Sequence, residues 1–223
     1  MEFERFFNNL KNNMGINDFF SFSSKLLSST YQVCAINLDK VENPDFEFAE
    51  HKLIQGIYDG ILFPVVFQHY SGKKLCDVLD TGWASLYLIS DSLRTKLLES
   101  KLVGWKTFPI QIVDKKGVEI KGYSGFSIVG RSGPIDYNKS KIIEKRLTSN
   151  APLSKFYKGL YFDLETWDGS DFFLTEKNYG PIVTKRAAEI LTRNKFTNIE
   201  LRNLSEIEMD DYTVKANLKA IGK

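Results

Sequence analysis

The densest group of side chains able to do chemistry lies in YFDLETWDGSDFF, where Asp163, Glu165, Asp168 and Asp171 surround Trp167. Carboxylates beside an exposed aromatic suit a sugar-binding or glycoside-cleaving site, in which one acid is held protonated while another stays ionised. On a strand, Asp163 and Glu165 point to one face about 7 Å apart. Calcium is a second chemistry for Asp168-Gly169-Ser170-Asp171, but Trp167 stands where the third ligand of a D-x-[DN]-x-[DN]-G loop belongs. The plainest reading is a strand with an Asp-Gly turn, and a partner-binding acidic loop is the first functional alternative.

Other reactive groups are sparse. Two cysteines, Cys34 and Cys76, and two histidines, His51 and His69, do not make the paired four-ligand spacing of a zinc site, so no metal and no cofactor are expected. Both thiols sit in apolar contexts as small core residues, and both imidazoles read as structural, with no G-x-S-x-G elbow to use them. Five glycines between Gly117 and Gly133 read as turn and bulge residues, because no GK[ST] follows them. A basic tract, Lys139, Lys141, Lys145, Arg146, Lys155 and Lys158 interleaved with Phe156 and Tyr157, has the composition of a nucleic-acid contact. The acidic run from Tyr161 to Glu176 argues against that use, and the two blocks are expected to pair with each other. Lys185 and Arg186 open a predicted helix against its dipole, a cost that an acidic partner or the upstream carboxylates would offset.

These residues must be positioned by a chain of 223 residues with 43% hydrophobic content and a net charge of +2. That composition supports a real core and excludes a surface that tracks nucleic acid or anionic lipid as a whole. MEFERFF lacks the basic start of a secretory signal, and the longest apolar run, Ile61 to Phe67, contains Pro64 and is too short to span a membrane. A cytoplasmic protein with no membrane partner is therefore expected. Asn-rich sequence up to Asn17 favours a short helix and a turn, YQVCAINL a strand at Tyr31 to Leu38, Asn43-Pro44 a turn, and GILFPVVFQHY a buried strand.

The clearest unit begins at Leu86. LYLI is a strand, Ser90 an N-cap, Leu93, Leu97 and Leu98 the buried side of a helix, Gly104 its left-handed stop, and WKTFPIQIV the next strand. After a hairpin turning at Lys115-Lys116-Gly117, the layout recurs as IVT, a Thr184 cap, the helix KRAAEILTRNKF, Asn198 and IELRNL. An offset of 94 superimposes Ile89 on Val183, Leu97 on Leu191, Leu102 on Phe196, Trp105 on Ile199 and Ile110 on Leu204. The expectation is an α+β protein with two similar strand-helix-strand units (86–112 and 182–204) on a shared mixed sheet. Residues 81–223 hold both units, and residues 1–80 form a divergent region, either separate or part of the same core.

The blocks LISDSLRTKLLESKLVGWKTFPIQI, GRSGPIDYNKS and IVTKRAAEILTRNKFTNIELRNL resemble a bacterial family identified as immunity proteins of polymorphic toxin systems. The family carries a block of the form isd.lk..l...kl.G...yPv.i, then the GRSGPIDYNKS segment or a relative of it, then vT.k....l......ni...nl, and the likeness covers about residues 80 to 210. It implies a cytoplasmic, non-catalytic protein that binds a cognate toxin. Asp163, Glu165, Trp167, Asp168 and Asp171 are the surface expected to face that partner, because an acidic surface centred on an aromatic suits a basic toxin. The alternative is an enzyme acting on a carbohydrate or phosphoester, with Asp163 and Glu165 as acid and base and Trp167 as a platform.

Overall fold

The computed structural model describes residues 14–25, 27–38, 48–146, 148–149, 151–178 and 180–222. The helix expected ahead of Gly15 and the turn at Asn43-Pro44 lie outside them.

Local chemistry sets the two helices that the sequence marks most clearly. At α2 (Asp91–Glu99) the Ser90 hydroxyl accepts the Leu93 N–H at 3.1 Å, and at α3 (Lys185–Arg193) the Thr184 hydroxyl accepts the Ala187 N–H at 3.3 Å. Each ends through a left-handed lysine, Lys101 (φ 51°) and Lys195 (φ 55°), earlier than the stops expected at Gly104 and Asn198. Those two residues form a second left-handed step (φ 91° and 61°) that aims the chain into the next strand. Gly104 is also required by space, since a Cβ there would lie 2.0 Å from the Phe172 carbonyl oxygen. The remaining helices are α1 (Ala49–Gln55) and α4 (Asp211–Ala220).

The strands are β1 (Phe19–Ser23), β2 (Gln32–Ala35), β3 (Val65–Ser71), β4 (Val78–Asp80), β5 (Tyr87–Ser90), β6 (Trp105–Phe108), β7 (Ile110–Val113) and β8 (Glu119–Ile120). They continue as β9 (Tyr123–Ile128), β10 (Gly130–Ser132), β11 (Lys141–Arg146), β12 (Leu153–Lys158), β13 (Phe172–Thr175), β14 (Ile182–Thr184), β15 (Glu200–Asn203) and β16 (Glu208–Asp210). The expected strand at Tyr31 to Leu38 is shorter, and the one in GILFPVVFQHY starts only after Pro64, whose ring nitrogen has no hydrogen for a sheet bond.

The chain is α+β, with mixed five- and eight-stranded sheets and an antiparallel three-stranded one. Their orders are β10-β13-β14-β1-β15, β6-β9-β5-β4-β2-β3-β7-β8 and β11-β12-β16. Only Pro109 separates β6 from β7, yet these are the first and seventh strands of the large sheet, so that sheet curls into a half-barrel.

The two strand-helix-strand segments do not share a sheet: β5 and β6 lie in the half-barrel, β14 and β15 in the five-stranded sheet. In each, the strands flanking the helix are parallel and a strand from elsewhere lies antiparallel between them, β9 in one and β1 in the other. The agreement extends outward: β2-β4-β5-β9-β6 and β10-β13-β14-β1-β15 have the same sequence of pairing senses, each starting with a parallel pair, although β9 follows its unit in the chain and β1 precedes its own. Because β1 lies between β14 and β15 in the five-stranded sheet while β2, β3 and β4 belong to the half-barrel, the described part of residues 1–80 contributes strands to both large sheets.

Within the five-stranded sheet β13 and β14 are buried on both faces, which explains the unbroken apolar run FFL in β13. Phe172 and Leu174 enter the main core, and Phe173, with Phe19 and Ile182, enters a second one. Phe172, fully buried, meets Phe22 at 6.0 Å and Phe126 of the half-barrel at 5.6 Å, both edge-on. Phe172→Ala is expected to cost about 3–5 kcal/mol, read from the denaturant midpoint, and a cost below about 1 kcal/mol would show that this contact does not join the sheets.

Candidate functional site

The acidic tract is divided between surface and core. Asp163 and Glu165 do not sit on a strand: Asp163 caps a 3-10 turn, Leu164–Thr166, its Oδ1 accepting the Glu165 N–H at 3.0 Å. Both carboxylates are exposed, as is Asp168. Asp168 is already engaged, accepting the Arg131 N–H at 2.7 Å and the Ser170 N–H at 3.0 Å.

Trp167 is not an exposed platform. It is 3% exposed, donates its indole N–H to the Ser170 carbonyl at 3.1 Å, and packs edge-on against Phe19 at 5.2 Å. The 3-10 turn rotates it away from its polar sequence neighbours and into the second core. Asp171, 5% exposed, does not face solvent either. It accepts the Thr184 hydroxyl at 2.9 Å and the Val103 N–H at 3.1 Å, and it pairs with Arg186 at 3.4 Å. Asp171 therefore holds the entry of α3 against the loop that follows α2, and the Arg186 side of the cation pair opening α3 finds its carboxylate there.

Sequence reasoning overlooked a counterpart. Asp77 accepts the Ser90 hydroxyl at 2.8 Å and the Thr197 N–H at 2.8 Å. The offset of 94 that aligns the helices also places Asp77 on Asp171 and Val103 on Thr197. That offset was the signal by which Asp77 could have been found.

The exposed part of the tract borders a cavity of about 350 Å³ walled by Ile16, Phe19, Leu160, Phe162 and Leu164, with Lys139 and Asp163 also lining it. An apolar recess with acid at its margin can hold an apolar or cationic side chain of a partner.

The remaining candidates have structural surroundings. His69 bonds through Nε2 to the Gly72 carbonyl at 2.8 Å and stacks on Tyr31 at 4.2 Å, while His51 lies against Phe48 and Trp83. Cys76 is buried and Cys34 partly so. Among the described residues no three His, Cys, Asp or Glu side chains form a group that could hold a metal ion, and no helix is long and apolar enough to cross a membrane.

Apart from Lys139, which ends a 3-10 turn and pairs with Asp136, the basic tract forms the β11–β12 hairpin, and its ion-pair partners among the described residues are not in the 161–176 run. Lys145 pairs with Glu208, and Lys158 with Glu206 at 2.6 Å, because β16 lies beside β12. The Lys145 ammonium holds Glu208 below the usual carboxylate range. Asp210 is lowered by the Thr213 N–H and hydroxyl that it caps at the start of α4, and Asp211 by Lys215. No family model matches the chain, and no curated protein matches it.

Because these three carboxylates are lowered in the folded state, the stability they confer is complete above the usual range and is lost as pH falls through their folded values. Below about pH 4, amides of α4 should lose hydrogen-exchange protection while β13 and β14 retain theirs. Simultaneous loss everywhere would contradict this assignment.

Proposed function

We propose that this chain is a non-catalytic cytoplasmic protein that binds and neutralises a cognate toxin, the role implied by its resemblance to immunity proteins. The observation that carries the reading is the apolar cavity lined by Asp163, two residues along the chain from the exposed Glu165. It supplies what a binding site needs, a recess that takes an apolar anchor and exposed charge at its margin that steers a basic partner. The interface is thereby narrowed to Asp163, Glu165 and the recess, with Asp168 at its periphery. Trp167 and Asp171 support it from within.

We also read residues 86–112 and 182–204 as copies of one strand-helix-strand unit. Support comes from the paired hydroxyl caps, the paired left-handed lysines and the common sequence of pairing senses in the two sheets. Such duplication would yield a rigid scaffold on which the cavity and the segments around it are presented.

The test is affinity capture from the native cell, followed by growth of cells expressing the captured partner with and without this protein. A stoichiometric partner that is toxic alone and harmless in its company is expected. Glu165→Lys should weaken the complex at least tenfold, about 1.4 kcal/mol, with thermal stability unchanged. A harmless partner, or unchanged affinity in that variant, would overturn the assignment. So would a glycan or phosphoester activity abolished by Asp163→Asn or Glu165→Gln without loss of stability.

A further inference from the structure

On another surface, α3 lies across the five-stranded sheet and leaves a groove between itself and β15, the strand at that sheet's edge. Two adjoining recesses of about 570 and 360 Å³, sharing Thr192 and Leu201, make up the groove. Its floor is apolar, formed by Phe20, Ala188, Leu191 and Leu201. Four cations, Lys25, Lys185, Arg193 and Lys195, line it against two carboxylates, Glu189 and Glu200. All four are exposed, and among the described residues none is joined to a carboxylate by an ion pair.

Charge on the two aligned helices makes this excess specific to α3. Under the 94-residue offset, Lys185 and Arg193 align with Asp91 and Glu99 of α2. Asp91 is paired with Arg94 and Glu99 with Lys96, each on its own helix. Asp91 also suits the positive N-terminus of α2, whereas Lys185 opposes that of α3. Arg186 beside it is relieved by Asp171, and among the described residues no carboxylate forms an ion pair with Lys185. The outer edge of β15 adds a row of backbone groups not used by another strand among the described residues.

We propose that this groove is a docking surface for an acidic, amphipathic, extended segment of another protein, which pairs with β15 and sets apolar side chains on the floor and carboxylates among the four cations. Edge pairing supplies main-chain hydrogen bonds, and the groove offers apolar side chains its floor and carboxylates the cations along its margin. The carboxylates of Glu189 and Glu200, which line the groove beside the cations, would repel a phosphate backbone and so favour a peptide over a nucleic acid. The surface is separate from the Asp163 cavity, so the two assignments fail independently.

The probe is a labelled nine-residue peptide alternating Glu and Leu, compared by fluorescence anisotropy with its Lys/Leu counterpart and with a nine-nucleotide oligo(dT). The Glu/Leu peptide should bind at least tenfold more tightly than either, and its binding should change the amide resonances of Glu200–Asn203. The double substitution Lys185→Glu and Arg193→Glu should weaken it at least tenfold. Lys185→Glu agrees with the helix dipole, and both positions are exposed, so the fold is retained and thermal unfolding checks it. Glu165→Lys should leave this binding unchanged. Equal affinity for the two peptides, oligo(dT) binding as tight as the Glu/Leu peptide, or indifference to the double substitution would each overturn the proposal.

Discussion

Two aspartates tie each helix entry to the opposite half of the molecule. Asp171, in the loop entering β13, accepts the hydroxyl that caps α3 and the backbone N–H of Val103, which follows α2. Asp77 accepts the hydroxyl that caps α2 and the backbone N–H of Thr197, which follows α3. Each carboxylate thus fixes a strand-to-helix junction on its own sheet and reaches across to the other. A buried donor without a partner costs about 1–3 kcal/mol, which applies to the Thr184 hydroxyl on Asp171; the Asp77–Thr197 bonds lie at the surface and add less, and both links fix how the two sheets meet. Around them the aromatic contacts follow, with Phe22, Phe126 and Phe172 closing the main core between the sheets.

That constraint also determines what the acidic tract can do. With Asp171 committed to the clamp and Trp167 turned into the second core, the tract presents only Asp163, Glu165 and Asp168 outward. Of these, Asp168 is anchored to β10 through the Arg131 N–H. The proposed binding site is where acid meets the apolar cavity, while α3 carries Lys185 and Arg193, which among the described residues are joined to no carboxylate by an ion pair. The two candidate surfaces therefore differ in charge, one suited to a basic partner segment and one to an acidic segment.

Local features were readable in the sequence because their causes are local. Ser90 and Thr184 start helices through their own hydroxyls, and Asn198 adopts a left-handed conformation where Gly104 does. Sheet membership was not readable: β1 lies between β14 and β15, a pairing between the two ends of the chain that no local pattern encodes. The same limit assigned the two strand-helix-strand segments to one sheet. Trp167 read as exposed because its sequence neighbours are charged, but a 3-10 turn reverses which side chains face water. Asp171 read as surface because its partners, Val103 and Thr184, come from distant positions. The basic tract was matched to the wrong acids for a similar reason, since β16 reaches it only through sheet pairing.

The measurement that tests this account most directly is equilibrium unfolding of Asp77→Ala and Asp171→Ala, alone and together, with hydrogen exchange read at Val103 and Thr197. Asp171→Ala is predicted to cost about 1–3 kcal/mol and Asp77→Ala about 0.5–1.5 kcal/mol, with exchange rising at Val103 in the Asp171 variant and at Thr197 in the Asp77 variant. If either aspartate can be replaced without loss of stability, or if the amide across the interface keeps its protection, the two carboxylates do not hold the halves together and the account fails.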